Sequence, residues 1–201
     1  MASSTSSRAR SSRARVLIDP SLRVSLVHLP TSLCSTLLAR DIVAQTVVVE
    51  LGTDMESYYC GWTGLAPSAS VLSDPHAGEC IVMSPSLADM FAPALSNGQE
   101  VSLRLFRSPP IPVARKVFVT PQSADDWEIL SVHADEVESS MLSQVRAAKQ
   151  GQVLGVSVGR SSATVIKFLV DRTVPPTRSV KEDMDTNDQH CLLYTSDAAD
   201  E

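Results

Sequence analysis

Glycine and aromatic residues are scarce in this 201-residue chain: eight Gly, and 4% Phe, Trp and Tyr together. With so few aromatics, any core must rest on aliphatic side chains and alanine. There is no Gly-x-x-x-x-Gly-Lys-Ser/Thr loop and no Gly-x-Gly-x-x-Gly, so the backbone cradles that hold nucleotide phosphates are missing. A Gly-x-Ser-x-Gly nucleophile elbow is missing too. No run approaches the roughly 18 apolar residues of a membrane-spanning helix, and the body is expected to be soluble. The four cysteines, Cys34, Cys60, Cys80 and Cys191, form no Cys-x-x-Cys pair, and no signal peptide precedes them. They are expected as free, buried thiols in a reducing compartment.

The formal net charge is −6. Residues 16–170 carry ten Lys/Arg against fifteen Asp/Glu. So acidic a body is a poor nucleic-acid binder, because neutralising phosphates needs a basic surface.

The two ends differ from this body. Residues 1–15 hold four Arg, no acid and a repeated Ser-Ser-Arg-Ala-Arg, at Ser6–Arg10 and Ser11–Arg15. Such a segment has no apolar surface to bury and is expected to be a disordered leader. Its composition suits either a transit peptide or a solvated tail without an address. Residues 172–190 lack any hydrophobic period and read as a linker. Residues 191–201 resemble the in-frame translation of a sequencing-library adapter and are expected to be foreign. The chain is therefore expected to be a fragment of a longer protein.

Within the body, Leu22–Leu29, Thr46–Leu51, Ser57–Trp62, Cys80–Met83 and Val101–Phe106 predict short strands. Two short helices, Thr31–Arg40 and Pro85–Phe91, interrupt them. Ser84 suits the cap and Pro85 the first turn of the second helix. Asn97-Gly98 predicts a tight turn. This first half, 16–106, reads as a small barrel or sandwich. Pro109, Pro110 and Pro112 make 107–114 a stiff connector. In 115–171, a strand at Arg115–Thr120 precedes a helix capped by Ser123. Its apolar face runs through Trp127, Leu130, Ala134, Val137, Met141, Val145 and Ala148. That stripe would last about six turns at 3.6 residues each, with Gly151 stopping it. Strands at Val153–Val158 and Ala163–Val170 complete an α+β layer.

Few side chains suggest chemistry. His76 and Cys80 make at most half of a metal site, and zinc needs four ligands or three with water; a loop histidine beside a strand cysteine is the plainer reading. His133 and Glu136 could pair at i, i+3, but they belong to an acidic helix face that reads as solvated. Trp127 is expected in the core. Alternation sends Tyr58 and Tyr59 to opposite sides, so one is expected to be partly exposed, where it could anchor a partner. Arg104, Arg107, Arg115 and Lys116 form the one basic cluster. Arg107, Arg115 and Lys116 either line a groove between lobes, facing an acidic partner or a phosphoinositide headgroup, or are ordinary surface charge.

The second half carries a resemblance. Ser123-Ala124-Asp125-Asp126-Trp127-Glu128-Ile129-Leu130-Ser131-Val132-His133-Ala134, then Leu142-Ser143-Gln144-Val145-Arg146, then Gly151-Gln152, resembles the N-terminal domain of the peroxisome biogenesis factor 1 family of type II AAA ATPases. Val27-His28-Leu29-Pro30, Val47-Val48-Val49-Glu50-Leu51, Gly61-Trp62-Thr63-Gly64 and Asn97-Gly98-Gln99-Glu100-Val101 follow the same order, so the likeness spans Leu22–Val170. It implies a double-psi β-barrel followed by a small α/β lobe with one long helix, as in valosin-containing protein and the N-ethylmaleimide-sensitive fusion protein. It implies a docking domain that takes adaptors or the ubiquitinated import receptor and has no catalysis of its own. ATP and magnesium would belong to modules outside this segment. The implied partner is peroxisome biogenesis factor 6 in a hetero-hexamer, and the implied location is cytoplasmic, peripheral at the peroxisomal membrane. An N-domain from another AAA pathway and an organelle-targeted double-psi barrel enzyme are the rival readings.

Overall fold

Residues 12–22, 25–68, 79–107, 113–159, 164–174 and 190–192 are described by a computed structural model, with the backbone alone at 107 and 190–192. The first strand begins inside the expected leader. β1 (Ser12–Ile18) turns Ala14 and Val16 into the core and leaves Arg13 and Arg15 at the surface. The second Ser-Ser-Arg-Ala-Arg copy is thus a strand from Ser12 onward, because its alternation suits one buried and one wet face. Residues 1–11 lie outside the described residues.

β2 (Leu26–Val27), β3 (Val47–Gly52), β4 (Ser57–Trp62), β5 (Cys80–Met83) and β6 (Glu100–Arg107) join β1 in one sheet, ordered β2-β4-β3-β6-β1-β5. β1–β5 and β2–β4 pair parallel; the other pairs are antiparallel. The outer strands meet where His28 N–H donates to Val82 O (2.9 Å) and Val82 N–H to His28 O (3.1 Å). The sheet is therefore a nearly closed barrel. Its core is aliphatic around one large ring: Trp62 with Val16, Leu29, Leu51, Ile81, Met83 and Leu103, each under 2% exposed. The strand expected over Leu22–Leu29 shrinks to two residues. Leu26, Val27 and Leu29 are all buried, so a two-residue period fails there.

α1 (Thr31–Leu38) and α2 (Pro85–Ala88) are both shorter than expected. α1 ends before Asp41, whose φ of 52° no helix allows. Ser84 Oγ accepts the Leu87 N–H (3.2 Å) and Pro85 opens α2, as expected. Gly98 supplies a φ of 82° for the turn before β6, and Asn97 Oδ1 accepts the Ile18 N–H (2.6 Å), tying that turn to β1.

The second lobe holds β7 (Lys116–Pro121), α3 (Ala124–Gln144), β8 (Ala147–Lys149), β9 (Val153–Val158) and β10 (Thr164–Val174). β10 sits between β7 and β9, antiparallel to both, with a bulge between Val170 and Arg172. β10 runs to Val174, so the segment expected as linker from residue 172 begins as strand. β11 (His190–Leu192) pairs with β8 and spans the expected junction of linker and adapter-like run.

The long helix departs most from expectation. It ends at Gln144; Val145 is extended, and Ala148 belongs to β8. His133 breaks the helical dihedrals (φ −115°, ψ 20°), so the stripe slips to a new face. Trp127, expected in the core, is 56% exposed. Asp126, Val137 and Gln144 are buried instead, with Leu130 and Met141 partly so. The cause is polar docking. Asp126 Oδ1 accepts the Lys167 N–H (2.9 Å), and Gln144 pairs with Ser157 at both amide ends (2.8 and 2.9 Å). With Asp126 turned inward, its neighbour Trp127 must turn away.

Candidate functional site

β4 presents opposite faces to the two lobes. Tyr58 points into the barrel beside Phe91 (ring centroids 4.8 Å apart), and its hydroxyl donates to Val153 O of the second lobe (2.7 Å). Tyr59 points the other way, into a small cluster with Val48, Ala147 and Phe106. Its hydroxyl donates to Glu50 Oε1 (3.2 Å), and Glu50 meets Arg104 at 3.6 Å. Both tyrosines are buried, at 4% and 5%, where one was expected to be partly exposed. The reason is that β8 and β9 cover the face a lone barrel would leave wet.

Gln152 ties this junction. Its Oε1 accepts the Tyr59 N–H (2.9 Å) and its Nε2 donates to Tyr59 O (2.7 Å), so one side chain serves as a strand partner for β4. Ser25 Oγ donates to Gly155 O at 2.6 Å. Gly61 lets Arg146 approach, since a Cβ there would stand 2.5 Å from the Arg146 side chain.

Beside the junction lies a cavity of about 530 Å³ lined by both lobes. The barrel contributes Glu56, Asp89, Met90 and Phe91 to its lining; the second lobe contributes Lys149 and Lys167. Glu56 Oε1 is held by the Ala92 N–H (2.7 Å), and Lys149 Nζ stands 5.7 Å from the Tyr59 ring centre. Two acids and two lysines thus share the cavity lining with apolar residues.

The expected basic residues lie elsewhere. Arg107 ends β6, its backbone opposite Val47. Arg115 N–H donates to Val174 O (2.8 Å), and Lys116 begins β7. Arg115 and Lys116 are exposed and are not among the residues lining the cleft. Lys149 and Lys167, which do line it, escaped the sequence reading. Lys149 falls between Ala148 and Gly151 at the end of the expected helix, and Lys167 inside the expected strand Ala163–Val170. The Gly151-Gln152 pair in the resemblance was the one pointer to this place.

His133 Nδ1 lies 3.2 Å from Glu136 Oε2 in a solvated pair. His76 lies outside the described residues, and Cys80 is buried in β5. Among the described residues no group of three or more His, Cys, Asp and Glu could hold a metal, and no helix is long and apolar enough to cross a membrane. Cys34 and Cys60 are free and buried, and Cys80 is buried as well. Burial pushes the Cys60 thiol far above its usual range and raises the Tyr58 phenol as well.

The model of the family described as peroxisome biogenesis factor 1, N-terminal, matches residues 115–188. The chain is similar to the peroxisomal ATPase PEX1 of Arthrobotrys oligospora, 29% identical over 73% of this chain and 14% of that protein. It is also similar to the PEX1 proteins of Dictyostelium discoideum, 32% identical over 58% of the chain and 9% of that protein, and Saccharomyces cerevisiae, 24% identical over 88% and 16%. The matched region thus spans less than a fifth of the length of these relatives.

Proposed function

Because the chain belongs to the peroxisome biogenesis factor 1 family, as an N-terminal segment of it, we propose that it is the docking domain of a peroxisomal AAA ATPase. In this reading the cleft between the lobes takes an adaptor or the ubiquitinated import receptor, in support of receptor recycling and matrix protein import. The observation that carries it is the cleft itself. Two lobes joined through Gln152 line one cavity, to which the barrel brings Glu56, Asp89, Met90 and Phe91 and the second lobe Lys149 and Lys167. The double-psi reading of the barrel belongs with it, supported by two parallel strand pairs in a six-stranded sheet. The sequence has no Gly-x-x-x-x-Gly-Lys-Ser/Thr phosphate loop. In this reading ATP, magnesium and the hetero-hexamer with peroxisome biogenesis factor 6 belong to other modules, and the segment works without catalysis from the cytoplasmic side of the peroxisomal membrane. A phosphoinositide headgroup and a protein ligand would compete for Arg115 and Lys116, and vesicle flotation separates the two.

The test is a photoreactive residue at Gln150 or Met55, on the cleft rim, in the full-length ATPase with its partner. Cross-links to the receptor or an adaptor are expected. Cross-links confined to the ATPase modules would make the cleft an internal contact and end the docking reading.

A further inference from the structure

Arg115 and Lys116 stand beside a half-uncovered sheet. The side chains of β7 and β10 that turn away from α3 share one face: Lys116, Phe118 and Thr120, opposite Val174, Arg172 and Leu169. Toward β9 the barrel covers this face, because Val153 and Val165 pack into the barrel core. Toward β7 it is open. Phe118 is 41% and Leu169 38% exposed. The Arg172 guanidinium lies 4.3 Å above the Phe118 ring, a stacking that holds its plane while leaving N–H groups for an acceptor. Arg115, Lys116 and Arg172 are all exposed. One acid lies in the patch, Asp171, and its carboxylate accepts the Thr120 hydroxyl at 2.6 Å. Among the described strands β7 has β10 as its only neighbour, so half of its backbone donors and acceptors face no strand.

We propose that β7 is a docking edge for an extended acidic peptide. The peptide adds a strand to the sheet, rests apolar side chains on Phe118 and Leu169, and meets Arg115, Lys116 and Arg172 with its carboxylates. Backbone bonding along the edge supplies affinity, and alternate side chains supply specificity. The cations favour an acidic ligand, since they form a positive patch on a body of net negative charge. A membrane is disfavoured, because lipid makes no use of a strand edge. This site is separate from the cleft and stands or falls without it.

The experiment titrates the whole chain with a fluorescent Glu-Val-Asp-Ile-Glu-Val-Asp peptide. Controls are a Lys-Val-Lys-Ile-Lys-Val-Lys peptide and phosphatidylcholine vesicles carrying a phosphoinositide. Saturable binding of the acidic peptide alone is expected, with slowed hydrogen exchange of the β7 amides. Lys116→Glu combined with Arg172→Glu is expected to weaken it about tenfold, and Lys149→Glu, in the cleft, to leave it unchanged. Equal binding of both peptides, an unaffected double variant, or binding of vesicles without the peptide would each overturn the proposal. If the double variant loses its native circular dichroism, Arg115→Ala with Lys116→Ala, both at exposed positions, carries the same test.

Discussion

Gln152 and Gln144 each spend both ends of a side-chain amide on the backbone of a single residue, Tyr59 and Ser157 respectively. Gln152 is 7% exposed, so removing it strands a buried N–H and a buried C=O. Gln152→Ala is expected to destabilise the chain by about 2–4 kcal/mol, read as a lower urea midpoint. Gln152→Glu is expected to fall short of full rescue, because a carboxylate cannot donate to Tyr59 O. Another residue-scale effect is set by pH. Burial raises the Cys60 thiol, and burial followed by the neighbouring Cys60 raises the Tyr58 phenol. The folded chain keeps these protons at a pH where the unfolded chain releases them. The stability they contribute is therefore whole below the unfolded thiol value of about 8.5 and declines above it, with tyrosine adding to the decline above about pH 10. Urea midpoints taken across this range should fall, and Cys60→Ala should flatten the first part of the fall.

At the scale of elements, caps and turns were the most readable features. Ser84, Ser123, Asn97 and Gly98 all act where the sequence placed them, because a cap needs only its own neighbours. Ser123→Ala should therefore cost about 1 kcal/mol, measured by chemical denaturation, with α3 otherwise intact. Barrel strands β3 to β6 were legible to within a residue or so, for the same local reason. The far end of α3 was not. Val145 and Ala148 fit a helical stripe as well as they fit a strand, and the covering of β4 by β8, a contact distant in sequence, decided for the strand. The partial exposure expected of one tyrosine failed because burial by a second lobe leaves no local mark, and Trp127 was misplaced because the inward turn of Asp126 depends on Lys167, distant in sequence. The cleft was legible only as an expected groove; its lysines were not, because nothing local distinguishes Lys149 or Lys167 from other surface cations.

For the whole molecule, the locked junction makes the two lobes partners in stability. Trp62 is buried in the barrel and Trp127 exposed on the second lobe, so each reports on its own lobe. Urea transitions followed by far-ultraviolet circular dichroism, and by the fluorescence of Trp62→Phe and Trp127→Phe variants, should coincide, as a single cooperative unit requires. Two separated transitions would show that the lobes unfold independently and that the Gln152 contacts contribute little.

The strand order also sets a schedule. Ser12 of β1 bonds with Leu103 of β6, 91 residues further along. At a synthesis rate of about 5–20 residues per second, β1 waits about 5–18 s before its antiparallel partner exists. During that interval its open edge is a hazard on the ribosome. The outward arginines at 13 and 15, set between the inward Ala14 and Val16, are then as useful in delaying premature association as they are later at the barrel surface.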